Sequence, residues 1–186
     1  MHMKRVNIMI GRFQPFTKGH YKCVEAAMRQ KNVPTVIAMI NTPDEKADEK
    51  HPFPSSLLLP LYEELFKKDK NIAGIILIKN ADIVKIGEEC KKQGYEIVSW
   101  TCGTDRIDAY SSMSSRYHDQ ANLADDFEMI EIPRTGEDIS ATKVRQALLA
   151  DNRAEFIKLT PMIPLSMRMK MDIYEILKEQ INKVMK

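Results

Sequence analysis

The sequence predicts an α/β protein built on a doubly wound, mainly parallel sheet of five strands, followed by C-terminal helices. Two observations carry this. Short β-branched, apolar runs alternate with segments whose apolar residues recur at helical spacing, as strand-helix-strand units do. The first run also ends in a glycine-bounded polar loop that leads directly into a helix, an arrangement with which open α/β sheets hold ligands.

Taken in order, Val6 to Ile10 forms the first strand and ends at Gly11. Tyr21, Val24, Ala27 and Met28 then mark one face of the helix that follows. The strand pattern returns at Thr35 to Ile40, Ile72 to Ile78 and Tyr95 to Cys102, with a helix over Ala81 to Gln93 between the last two. Phe127 to Ile132 supplies a fifth strand, and Ser140 to Ala150 a helix with Ser140 as its N-cap. The polar stretch from Asn41 to Pro54, with Pro43, Pro52 and Pro54, fits either a mobile functional loop or a solvated connector. Pro60 interrupts Leu57 to Leu65, so a helix is expected to begin near that proline. From Ser166 onward, Met167, Met171, Tyr174, Leu177, Ile181 and Val184 share one face of a final amphipathic helix, suited to packing on the sheet or on another subunit.

A chain of 186 residues, 44% of them hydrophobic, can bury one good core. A single domain over 4–186 is therefore expected, with a sheet core over 4–150 and a helical part over 151–186. Its 28 basic and 26 acidic residues leave a formal charge of +2, which argues against a dedicated nucleic-acid binder. Cys23, Cys90 and Cys102 have no C-x-x-C spacing and no histidine cluster beside them. That disfavours a disulfide framework or structural zinc and suits a reducing cytoplasm. No apolar run approaches the roughly 20 residues that cross a bilayer, and no signal-peptide pattern opens the chain. A soluble, cytoplasmic protein without a membrane partner is expected. The opening Met-His-Met reads as a remnant of cloning, so His2 is set aside as a ligand.

The chemistry is concentrated in Gly11-Arg12-Phe13-Gln14-Pro15-Phe16-Thr17-Lys18-Gly19-His20, between the first strand and the first helix. A helix N-terminus presents free N–H groups and a positive dipole to phosphate, and Gly11 and Gly19 let backbone approach a ligand closely. Thr17 offers a hydroxyl and His20 a ring N–H as donors to phosphate oxygens. Far downstream, Ser140 and Thr142 open a second helix with hydroxyls, and Arg145 can pair with phosphate through two parallel bonds. Gly103, after the fourth strand, permits close approach to a nucleotide. Asp105 suits a ribose hydroxyl or a helix cap, and Arg106 a phosphate or plain solvent. Trp100 suits either stacking on an aromatic ligand or burial within its strand.

The first segment resembles the signature of the nucleotidyltransferase superfamily, a glycine, an aromatic and a proline followed by H-x-G-H or T-x-G-H. Ile139-Ser140-Ala141-Thr142-Lys143-Val144-Arg145 looks like the second signature, I-S-x-T-x-[IV]-R, and the Gly103 turn resembles the family's G-x-D turn. The resemblance implies a Rossmann-like fold and an in-line attack of an acceptor phosphate on the α-phosphorus of a nucleoside triphosphate, with no covalent intermediate. It makes Thr17, His20 and Arg145 the catalytic set. It sets Gly11, Arg12, Phe13, Gln14, Lys18, Gly19, Gly103, Asp105, Arg106, Ser140 and Thr142 against the nucleotide. Magnesium is implied on the triphosphate, with no metal ligands from the protein.

The run G-R-F-Q-P-F-x-x-G-H looks most like archaeal-type nicotinamide-mononucleotide adenylyltransferases and related phage and bacterial proteins, which implies ATP and a mononucleotide acceptor. Thr17 replaces their first histidine, and the arginine they carry shortly after the counterpart of His51-Pro52-Phe53-Pro54 is missing. Lys46 or Lys50 then supplies that charge toward the acceptor, with Trp100 as its stacking candidate. The T-x-G-H form is similar to pantetheine-phosphate adenylyltransferases, and cytidylyltransferases using CTP share the signature. A nucleotide-binding sensor without turnover is the alternative from another class. A tRNA-binding module is disfavoured by the short chain and the absent basic, aromatic-rich surface. Assembly with further copies of the chain is expected through the methionine-rich C-terminal helices.

Overall fold

The computed structural model describes residues 2–133, 140–161 and 165–185. They form two compact units, each discontinuous in sequence: Met1–Gly11, Lys22–Ile40 and Asp69–Gly136 make the first, and Arg12–Tyr21, Asn41–Lys68 and Glu137–Lys186 the second.

The first unit holds a five-stranded, wholly parallel sheet of β1 (Lys4–Gly11), β2 (Thr35–Ile40), β3 (Ile72–Ile78), β4 (Tyr95–Gly103) and β5 (Leu123–Ile132), in spatial order β3-β2-β1-β4-β5. The order reverses beside β1, so the topological switch point lies between the carboxyl ends of β1 and β4, at Gly11 and Gly103. Residues of α3 (Ile83–Lys92), including Ile83, Ile86 and Cys90, pack with Val6, Ile8, Ile97 and Trp100, as do Tyr110 and Met113 of α4 (Ile107–Arg116). Ala27 of α1 (Lys18–Lys31) packs instead with Val98 and Ala124. The register shift that separates Ile97 from Ser99 lets Val98 and Ser99 turn the same way. Asn7 there donates to Thr35 and Thr101 and accepts from Ser99, a buried polar layer with its hydrogen bonds made.

The second unit gathers the first turn of α1, α2 (Ser55–Phe66), α5 (Ala141–Leu149), α6 (Arg153–Leu159) and α7 (Met167–Val184). Phe16, Tyr62, Phe156, Ile173 and Leu177 are among the residues that line one small apolar pocket in it. The helix expected to begin near Pro60 begins five residues earlier and runs through the proline. Its start is set by a reciprocal pair: Thr42 N–H donates to Ser55 Oγ at 2.7 Å, and Ser55 N–H to the Thr42 carbonyl at 2.9 Å. Leu58, Tyr62 and Phe66, four residues apart and all buried, hold the helix past the one backbone bond that Pro60 removes. The fifth strand likewise begins earlier than its apolar run, at Leu123. Between Asn41 and Pro54 the regular structure is a single 3-10 turn, Asp44–Lys46. Among the described residues, no helix is long and apolar enough to cross a membrane.

Candidate functional site

Thr17 sits one residue before α1 and is almost fully buried, 1% exposed. Its hydroxyl oxygen accepts the His20 backbone N–H at 3.2 Å, and its own N–H donates to His20 Nδ1 at 2.9 Å. A backbone N–H can only donate, so Nδ1 is the acceptor and the proton of the neutral ring is on Nε2. Burial pushes the imidazole pKa down to about 4, which keeps the ring neutral. It packs edge-on to Phe13 at 5.0 Å and against Phe16 at 5.3 Å. His20 is therefore a fixed, neutral Nε2–H donor. Thr17, expected to face phosphate with its hydroxyl, instead caps α1 and orients that histidine.

The loop ahead of Thr17 is held rigidly from the other side. Tyr62 donates its hydroxyl proton to the Phe13 carbonyl at 2.6 Å and accepts the Phe16 N–H at 2.9 Å, so one buried side chain spans the loop. Gln14 donates through Nε2 to the Phe53 carbonyl at 2.7 Å and accepts the Phe53 N–H at Oε1, 2.9 Å, as a neighbouring strand would. These bonds correct the expected roles of Phe13 and Gln14. At 3% and 4% exposure, with polar groups committed internally, they build the loop and do not line a nucleotide surface. Phe13 has a positive φ of 51°, a conformation that the hydrogen bond from Tyr62 supports. Tyr62→Phe leaves two buried loop groups unpaired and is expected to lower stability by about 1–3 kcal/mol. Comparing urea midpoints of the two proteins tests this; equal midpoints would remove Tyr62 as the loop's anchor.

Arg145 reaches the same loop from α5. Its Nη1 donates to the Gln14 carbonyl at 2.7 Å and its Nη2 to Thr142 Oγ1 at 3.2 Å, while Ser140 Oγ caps the helix through the Lys143 N–H. Ile139, which opens the motif, lies outside the described residues. Arg12, exposed, donates to the Asn41 carbonyl at 3.4 Å. Among the described residues neither arginine is paired with a carboxylate. Lys18 and Gly19 are half-buried in the first turn of α1; Lys46, at the end of the 3-10 turn, and Lys50 are exposed.

Within the first unit, Gly11 and Gly103 close β1 and β4 at the switch point, and Asp105 and Arg106 follow on the exposed turn into α4. Trp100 does not meet the stacking expectation. It is wholly buried, stacked on Tyr110 at 4.2 Å and 19°, because its position on β4 faces the α3 and α4 layer. Burial also raises the thiols of Cys23 and Cys102 to about 11 and that of Cys90 to about 12, leaving all three protonated and poor nucleophiles. No group of three or more histidine, cysteine, aspartate or glutamate side chains among the described residues is arranged to hold a metal ion.

A family model described as cytidylyltransferase-like matches residues 8–147. Among solved structures, the chain is similar to the Plasmodium falciparum nicotinic acid mononucleotide adenylyltransferase complexed with NaAD. That match has 15% identity, covers 93% of this chain and 98% of that one, and has a TM-score of 0.56. It is also similar to a bifunctional NMN adenylyltransferase/ADP ribose pyrophosphatase from Francisella tularensis, with 17% identity over 97% of this chain and a TM-score of 0.60. The chain spans about half of that protein, 53% of its length. No curated protein sequence matches the chain.

Proposed function

Since the chain belongs to the cytidylyltransferase-like family and so to the nucleotidyltransferases, we propose that it is an adenylyltransferase that transfers AMP from ATP to nicotinamide mononucleotide and releases pyrophosphate. The observation that carries this reading is that His20 and Arg145 are both hydrogen-bonded to one internally braced loop, which also bears Arg12, with no carboxylate paired to either arginine among the described residues. Such a group of fixed donors suits a polyanion. An oxygen of the acceptor phosphate attacks the α-phosphorus, the bond to the bridging oxygen breaks, and the electron pair leaves with pyrophosphate. The acceptor is already ionised, so no base is needed, and a neutral His20 serves as a hydrogen-bond donor. Arg145 neutralises charge on the departing phosphates, and the N-termini of α1 and α5 offer them free N–H groups. Gly103, Asp105 and Arg106 remain proposed nucleotide contacts on the sequence resemblance. The donors around His20 are cationic or neutral, which fits magnesium carried by the phosphates and water; when bound, the ion adds charge neutralisation on the triphosphate. The acceptor assignment is supported by the motif and by the activities for which the structurally similar proteins are named.

The test is pyrophosphate release from ATP, CTP, GTP or UTP with nicotinamide mononucleotide, nicotinate mononucleotide or phosphopantetheine. Release with ATP and nicotinamide mononucleotide is the expected result. Release only with CTP, or only with phosphopantetheine, would replace the stated substrates. Nucleotide binding without release for any pair would favour the sensor reading.

A further inference from the structure

We propose that His51 contacts the phosphate of the acceptor, acting with Arg12 and Lys50 beside Arg145; the inference rests on the transferase reading above. The backbone around His51 is fastened on both sides. Asp48 Oδ1 accepts the N–H groups of Lys50 at 3.0 Å and His51 at 2.7 Å, and the His51 carbonyl accepts the Asp48 N–H at 3.1 Å. Just beyond, Gln180 of α7 donates to the Pro52 carbonyl at 3.0 Å, and Gln14 pairs with Phe53. Gln14 is thus a hub: its side chain holds the residue two after His51, its own carbonyl holds Arg145, and Arg12 lies two residues before it. The imidazole makes no hydrogen bond among the described residues. Its Nδ1 lies 3.8 Å from Asp48 Oδ1, and its side chain is 37% exposed.

The charges around it explain why an anion belongs there. Burial, and then the positive charges of Arg12, Arg145 and Lys50, hold the ring below the usual histidine range, and Asp48 alone opposes them. These groups repel one another until an anion arrives. A phosphate monoester, whose second ionisation falls near pH 6, supplies one to two negative charges to offset those cations. With His20 and Arg145 directed to the triphosphate, the more exposed set of Arg12, Lys50 and His51 is left for the second anion of the reaction. An anion seated there favours the protonated ring, so binding raises the His51 value, and the ring takes up a proton as pH falls toward its free value.

The test follows the His51 ring signals by NMR against pH in the whole protein, assigned with His51→Gln. They are recorded first alone, then with magnesium and a non-hydrolysable ATP analogue, then with inorganic phosphate or nicotinamide mononucleotide added. The free midpoint should lie below 6.5, and either phosphate probe should raise it by about a unit or more beyond any change the analogue causes. His51→Gln should weaken binding of the phosphate probes roughly tenfold near pH 6 while leaving analogue affinity nearly unchanged. A midpoint indifferent to both probes, or moved by the analogue alone, overturns the assignment. If inorganic phosphate moves it and nicotinamide mononucleotide does not, the His51 contact stands and the proposed acceptor falls.

Discussion

Arg145→Ala should lower kcat/KM on the order of 10³-fold, and Arg145→Lys should recover little of the loss. The guanidinium is already oriented, with one η nitrogen on the Gln14 carbonyl and the other on Thr142 Oγ1, so it needs no reorganisation to meet charge developing on the leaving phosphates. An ammonium keeps the formal charge but cannot hold both anchors in one plane and still present a fork to phosphate. The charge sits half-buried, and burial draws its pKa below the ordinary arginine value without threatening its protonation at neutral pH. Because Arg145 also ties α5 to the loop, the alanine variant should lose about 1–3 kcal/mol of stability. Kinetics with the triphosphate varied are therefore compared well below both melting temperatures, together with melting with and without nucleotide. If both variants keep near-native activity and the normal nucleotide-induced melting shift, the second motif is only a capped helix and the triphosphate is bound elsewhere.

His20→Ala is expected to reduce kcat by 10²-fold or more while changing nucleotide affinity much less, as for loss of a donor whose bond strengthens as charge moves onto the bridging oxygen. The bond from the Thr17 N–H to Nδ1 leaves Nε2 as the single available donor of the ring. A pKa near 4 means that no limb near pH 6.5 in the free-enzyme rate profile comes from this residue. The sign for stability follows. The folded value lies below the unfolded value of about 6.5, so the unfolded chain binds the extra proton first, and the contribution of neutral His20 is lost as pH falls from 6.5 toward 4. The alanine variant should therefore lose less stability than the parent between pH 7 and pH 5, measured by urea midpoints. A variant with unchanged turnover would remove His20 from the catalytic set, whatever its pH behaviour.

Much of the scaffold was legible because it depends on local patterns. The five apolar runs became five parallel strands, and the helix start at Ala141 follows directly from Ser140 as its cap. The α2 start was misread at Pro60, since a proline's local penalty is visible in sequence while the Thr42 and Ser55 pairing that outweighs it is not. Trp100 was ambiguous for a similar reason: alternation along β4 does not say which face is covered until α3 and α4 are in place. Tyr62, Phe53 and Gln180 carry no motif and were missed, although each makes a hydrogen bond on the loops around the candidate site. Tyr62 lies four residues from both Leu58 and Phe66, the spacing of a buried helix face, and nothing local reveals what its hydroxyl bonds.

Residue order alone was enough to name the strand-loop-helix unit, the two motif segments and the chemical types they carry, because strand and helix periodicity and capping act over a few neighbours. The division of labour among those residues required the folded chain. Gln14 and Phe53 lie 39 positions apart, and Gln14 and Arg145 lie 131 apart, so no local pattern could indicate that one glutamine braces both the His51 segment and the arginine. Burial decided the rest. It turned Thr17 from a supposed phosphate donor into the cap that orients His20, and it made His20 neutral, because the cost of a charge away from water depends on everything packed around it.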